Sequence, residues 1–161
     1  MSKYARSRSR SRALAVAEIR IEPAASFDFA ALCRLLEAAK LPTEDLDAAR
    51  LDGFLVARED AAVIGSVGVE RYGDVGLLRS LAVADDARDR GLGGHLTAAA
   101  EALATQLGIR TLYLLTTTAG SYFESQAYRS AARADAPAAI ASTPQFSGLC
   151  PSSSMFMSKN L

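Results

Sequence analysis

The chain has 161 residues, half of them hydrophobic and 22% charged, which is enough for one well-buried globular core and too little for two. Eighteen basic side chains balance eighteen acidic ones, and a neutral sum argues against a dedicated nucleic-acid binder. The balance hides a split. Residues 1–12 contain Lys3, Arg6, Arg8, Arg10 and Arg12 and no acid, so the remainder carries 13 basic against 18 acidic side chains.

The Arg-Ser alternation over residues 7–12 is low-complexity sequence, and residues 1–16 are expected to be a disordered basic tail. Without aromatic residues between its charges it offers no base-stacking platform, so no specific nucleic-acid partner is expected. The apolar stretch at 13–17 is too short for a secretory signal, and no run of 18 apolar residues follows. A cytoplasmic location with no membrane partner is the expectation. Cys33, Cys150 and the single His95 are too few for a disulfide framework or a metal centre, so no metal is expected.

A single domain is expected from residue 17 to 161. Residues 18–21 alternate polar and apolar like a half-buried strand, and Pro23 ends them. Phe29, Leu32, Cys33 and Leu36 recur at helical spacing, predicting a helix over 28–40. An acidic stretch after Pro42 reads as a short helix or loop. Strands at 54–58, 63–71 and 75–83 are separated by tight turns, the second at Gly73-Asp74, and form an antiparallel meander. Leu92, Leu96, Ala99, Ala100, Leu103 and Leu107 mark a long helix. Residues 111–116 read as a strand, 121–126 as a short helix and 155–157 as a last strand. The order β-α-β-β-β-α-β-α-β gives an α/β class with a mixed sheet and helices on its faces.

The segment 78–94 carries the chemistry. A strand runs into a turn and then into Arg88-Asp89-Arg90-Gly91-Leu92-Gly93-Gly94 at the start of the long helix. Glycines there let backbone N–H groups approach a ligand closely, the helix dipole adds positive potential, and Arg88 and Arg90 add charge-assisted donors. This is an anion site suited to a pyrophosphate. The glycine spacing differs from a dinucleotide fingerprint, and no Gly-Lys-Ser/Thr is present for a P-loop.

Arg88-x-x-Gly91-x-Gly93, preceded by Leu81-Ala82-Val83, resembles the acetyl-CoA signature of the GCN5-related N-acetyltransferases, the GNAT superfamily. The element order over residues 17–160 is similar to theirs. Residues 42–46, 67–73, 77–83, 113–119 and 143–151 further resemble the acetyltransferases linked to bacterial arsenic-resistance operons and, more distantly, N-acetylglutamate synthase domains. The resemblance implies a mostly antiparallel sheet of six to seven strands, splayed between the fourth and fifth. It implies acetyl-CoA as co-substrate, with the pantetheine arm on backbone groups of Leu81, Ala82 and Val83. The pyrophosphate would lie on Arg88, Asp89, Arg90, Gly91, Leu92, Gly93 and Gly94, with Thr117 and Phe123 completing the set. It also implies a small-molecule amine as acceptor and raises a homodimer as an expectation.

Acetyl transfer needs a base for the ammonium and polarisation of the thioester carbonyl. Leu77 stands where histone-modifying members have a glutamate base, so Glu70 is the preferred substitute. Arg79, read as sharing a strand face with Leu77, Leu81 and Val83, is a candidate holder of a substrate oxyanion; the alternative is an internal ion pair. The usual tyrosine acid is replaced by Phe123, with Tyr122 one residue earlier and about 100° round the helix. The expectation is therefore an acetyl-CoA-dependent N-acetyltransferase that uses Glu70, Arg79 and Tyr122. The apolar Leu77 and Phe123 motivate an alternative, a CoA-binding sensor without turnover.

Overall fold

A computed structural model describes residues 18–161. The Arg-Ser tail lies outside the described residues. The chain runs through β1 (Ile19–Pro23), α1 (Phe29–Ala38), β2 (Phe54–Glu59), β3 (Ala62–Tyr72) and β4 (Val75–Val83). It continues through α2 (Leu92–Gln106), β5 (Thr111–Thr116), α3 (Gly120–Ser125), β6 (Arg129–Ser130), α4 (Ala138–Ala141) and β7 (Met155–Asn160). A short π-helical turn, Gln145–Leu149, precedes β7.

The seven strands form one sheet in the order β1-β2-β3-β4-β5-β7-β6. Every neighbouring pair is antiparallel except β4 and β5. These two are parallel and pair only from Val75↔Thr111 to Leu77↔Tyr113. Beyond that point they part, which is the splay expected from the sequence.

Two layers of helix cover the sheet. Leu92, Leu96, Ala100 and Ala104 of α2 are buried against Leu55, Val67, Val69 and Leu78 of the meander and Leu112 and Leu114 of β5. The opposite face is divided. Leu32 and Leu36 of α1 pack with Leu51, Phe54 and Ala82, whereas Ile140 of α4 packs with Leu77 and Phe156. At about 25 cal/mol per Å² of apolar surface removed from water, these faces supply the main driving force for the fold. Tyr128 ties α2 to the sheet by donating to Glu101 (2.9 Å), which also receives Lys159 (3.0 Å).

One expectation about β4 is corrected. Its side chains do not alternate throughout. In the β3–β4 ladder Ser66 faces Ala82 and Gly68 faces Arg79, so Ser80 and Leu81 together oppose Val67. This is a β-bulge, with Ser80 at a left-handed φ of 58°. The extra residue reverses the parity. Leu81 and Val83 join Leu78 on the α2 face, while Ala82 joins Leu77 on the other. Arg79 therefore does not share a face with Leu81 and Val83.

Candidate active site

Where β4 and β5 separate, a cleft of about 690 Å³ opens. Leu78–Val83 form one wall and Leu114–Ala119 the other. Beyond Leu77 the outer edge of β4 has no partner strand, so its N–H and C=O groups are available to an extended ligand. Leu81, Ala82, Val83, Thr117 and Phe123 all line this cleft.

Arg88 stands at the mouth, 58% exposed, with its Nε directed at the Val83 carbonyl (3.5 Å) and its fork near Asp85 (3.2 Å). Arg90 points elsewhere, to Glu59 (2.8 Å). The anion loop follows. Asp89 and Gly91 are both left-handed, at φ 64° and 72°, a conformation that Gly91 adopts without strain. The first bond of α2 is donated by the His95 N–H to the Gly91 carbonyl (3.2 Å), so the N–H groups of Leu92, Gly93 and Gly94 precede any intrahelical partner. A Cβ at Gly91 or Gly94 would meet no atom within 4 Å. That open space, with unpaired N–H groups around it, is a cradle that fits a pyrophosphate. His95 itself is exposed.

The acceptor-side groups form a separate cluster. Arg79 is buried and gives both terminal nitrogens to Asp45, one of them at 2.7 Å, and its Nε to the Ser80 hydroxyl (3.1 Å). Glu70 lies 3.6 Å from the same guanidinium. Burial pushes the Asp45 carboxyl up, but bonds and charge from Arg79 outweigh it and hold the group below its usual range. Burial dominates for Glu70 and raises it, with Arg79 opposing. Glu70 Oε1 is buried without a partner. Register explains its position. Glu70 faces Leu77 across the β3–β4 ladder, so it brings a carboxyl to the same face one strand over. Glu70 does not itself line the cleft.

Arg79, expected to hold a substrate oxyanion, instead has its fork engaged by an internal carboxylate, the alternative weighed from the sequence. The sequence reading missed Asp45 as that partner because 34 residues separate the two. It also passed over Gln145, which is buried beside Cys150, accepts from its thiol (3.3 Å) and has an unpartnered Nε2. Burial raises the Cys150 thiol, so it stays protonated. Lys40 and Glu44 line the cleft and went unremarked in the sequence as site residues. Tyr122 does not line it. Its hydroxyl lies 3.1 Å from Thr97 Oγ1 of α2.

The fold thus presents a parallel strand pair that parts beside a glycine-rich turn at the start of a long helix. Residues 20–128 match the model of the Acetyltransferase (GNAT) family, and the chain belongs to that family. No match was found among curated proteins. Among solved structures, the chain is similar to N-acetylglutamate synthase from Neisseria gonorrhoeae complexed with coenzyme A and N-acetyl-glutamate. That likeness has 25% identity and a TM-score of 0.77, and covers 90% of this chain and 35% of that one. The chain thus spans about a third of the length of that synthase. Rv2747 from Mycobacterium tuberculosis, in complex with CoA and NLQ, matches at 16% identity and a TM-score of 0.74, covering 88% of this chain and 99% of that one. The PaiA N-acetyltransferase from Thermoplasma acidophilum, in complex with coenzyme A, matches at 16% and 0.64, covering 90% and 100%. The latter two show the fold alone. Acetyl-CoA is the co-substrate of this class, and the cleft and anion cradle fit it. No helix among the described residues is long and apolar enough to cross a membrane.

Proposed function

We propose that the protein transfers an acetyl group from acetyl-CoA directly to the amino group of a small molecule held beside it in the cleft. The observation that carries this reading is the unpaired edge of β4 from Leu78 to Val83, opening onto a glycine cradle at its end. Bound acetyl-CoA supplies the acetyl group as an activated thioester. The β4 edge would hold the pantetheine arm as a short added strand, and the N–H groups of the loop the pyrophosphate. Backbone donors in the parted segment of β4 polarise the acyl carbonyl, the term that acyl transfer depends on most. Glu70, set back from the cleft lining, takes up the proton lost by the acceptor ammonium through a bridging water. Its raised carboxyl is closer in basicity to that task than an exposed glutamate. No side-chain acid is assigned to the leaving thiolate, since Phe123 lines the cleft where a tyrosine is usual.

For the acceptor, an amino-acid-like molecule is supported by the likeness to the synthase. The cations lining the cleft are Lys40, Arg79 and Arg88. Arg79 is paired inward and Arg88 sits by the anion loop, so a carboxylate on the acceptor falls to Lys40. The subfamily resemblance adds amino-bearing organoarsenicals to the same class. A panel of amino acids, polyamines and aminated arsenicals, assayed by release of the CoA thiol, tests the reading. Sequential kinetics with one amine class supports it. CoA binding without turnover on any amine replaces it with the sensor reading that Leu77 and Phe123 motivate.

A further inference from the structure

Tyr122 sits next to the cleft yet turns away from it, and its hydrogen bond has a direction that can be worked out. Thr97 Oγ1 donates to the Gly93 carbonyl one turn earlier (2.8 Å). A threonine hydroxyl has one hydrogen, and that bond uses it. The same oxygen lies 3.1 Å from the Tyr122 hydroxyl, so Tyr122 must be the donor. The chain runs Tyr122 O–H to Thr97 Oγ1 to Gly93 C=O. Thr97 is fully buried, while Tyr122 is partly buried.

The end of this chain is a weak point of the fold. Gly91 and Gly94 leave room for an anion, and Gly93 faces the Tyr122 hydroxyl, but glycine within a helix costs about 1 kcal/mol relative to alanine. Gly93 and Gly94 both lie in the first turn of α2, and Asp89 and Gly91 before it are left-handed. The turn that must present its N–H groups in fixed directions is therefore the one least able to hold them by itself. Tyr122 reaches it from α3, on the other side of the cleft wall.

We propose that Tyr122 is a positioning residue for the anion loop and not a proton donor: acting through Thr97, it fixes the Gly93 peptide so that the first-turn N–H groups are ready for the pyrophosphate before it arrives. The inference rests on the acetyl-CoA reading above. A preordered loop binds more tightly because less ordering remains to be done on binding.

The test compares donors with and without the pyrophosphate. Tyr122→Phe, which keeps the ring and its edge contact with Phe123, should weaken CoA binding about fivefold, the loss of one ordinary hydrogen bond. It should leave kcat/KM with S-acetylpantetheine, which lacks the pyrophosphate, within about twofold. At saturating acetyl-CoA the alkaline limb of the kcat profile should not move. Thr97→Val should reproduce the loss, and the double variant should add nothing further. If Tyr122→Phe fails to fold, Thr97→Val, which retains the tyrosine, carries the test. A loss of about a hundredfold or more in kcat together with the alkaline limb, at unchanged CoA affinity, makes Tyr122 the acid and overturns the inference. Equal weakening toward CoA and S-acetylpantetheine overturns it too, as general loosening. Wild-type protein that binds no CoA overturns the parent reading; wild-type binding with both variants unchanged overturns this inference alone.

Discussion

The Asp45–Arg79 pair makes a claim that denaturation can decide. Asp45→Asn removes the charge while keeping the side-chain shape. The Arg79 side chain is 2% exposed and Asp45 13%, so the guanidinium loses its charge partner and one of two acceptor oxygens, keeping the amide oxygen, the Ser80 hydroxyl, Glu70 at 3.6 Å and the Phe54 ring at 5.8 Å. Breaking a fully buried pair by removing one partner costs about 3–5 kcal/mol. Because Asp45 keeps some contact with water and Glu70 provides a second carboxylate, we expect about 2–3 kcal/mol here. Replacing both partners by apolar residues, as in Asp45→Leu with Arg79→Met, should recover most of that loss. The pH dependence follows from the shift. The Asp45 carboxyl is held below its usual 3.8, so its contribution is present above that value and lost as pH falls through the folded value. The gap between wild type and Asp45→Asn should therefore narrow in acid. Urea unfolding at pH 7 and at pH 3 measures both effects. A cost under about 0.5 kcal/mol at pH 7, or a gap that does not narrow in acid, would refute the pairing and free Arg79 for a ligand.

Other outcomes follow from single residues. Ala127 is exposed and left-handed, at φ 70°, where an L side chain costs about 1–2 kcal/mol and glycine does not. Ala127→Gly should raise the unfolding free energy by about 0.5–1 kcal/mol, read as a higher urea midpoint at unchanged m, despite glycine's greater unfolded-state entropy. Glu70 is raised by burial, so kcat/KM should fall as pH drops through that raised value; Glu70→Gln should lower the rate about a hundredfold and remove this acid limb. Lys40→Gln should raise KM for an amino-acid acceptor about tenfold and leave a polyamine unaffected, as steady-state kinetics on both would show.

The legible and illegible parts of the sequence differ for physical reasons. Gly91, Gly93 and Gly94 encode the turn into α2 locally, so the start of that helix could be read directly. The meander was equally plain, because Gly73-Asp74 and the apolar runs on either side specify turn and strands within a few residues. The bulge at Ser80 was not, since nothing in Arg79-Ser80-Leu81 signals a left-handed serine; the ladder with Val67 imposes it. That one residue reversed which side chains share a face with Arg79. Residues 129–150 also gave no periodic signal. They form a two-residue strand, a one-turn helix and the π turn that carries Gln145. These elements are held by Ile140 packing on Leu77 and Phe156 rather than by their own propensity.

The central claim is that the parted edge of β4 and the glycine cradle bind acetyl-CoA. Calorimetric titration of acetyl-CoA into wild type and Arg88→Glu tests it most directly. Arg88 is exposed at the mouth of the cleft, so its reversal should spare the fold. One site per chain is predicted for wild type, weakened about tenfold or more in the variant and by added salt. No binding of acetyl-CoA to the wild type, or equal binding by both proteins, would contradict the account.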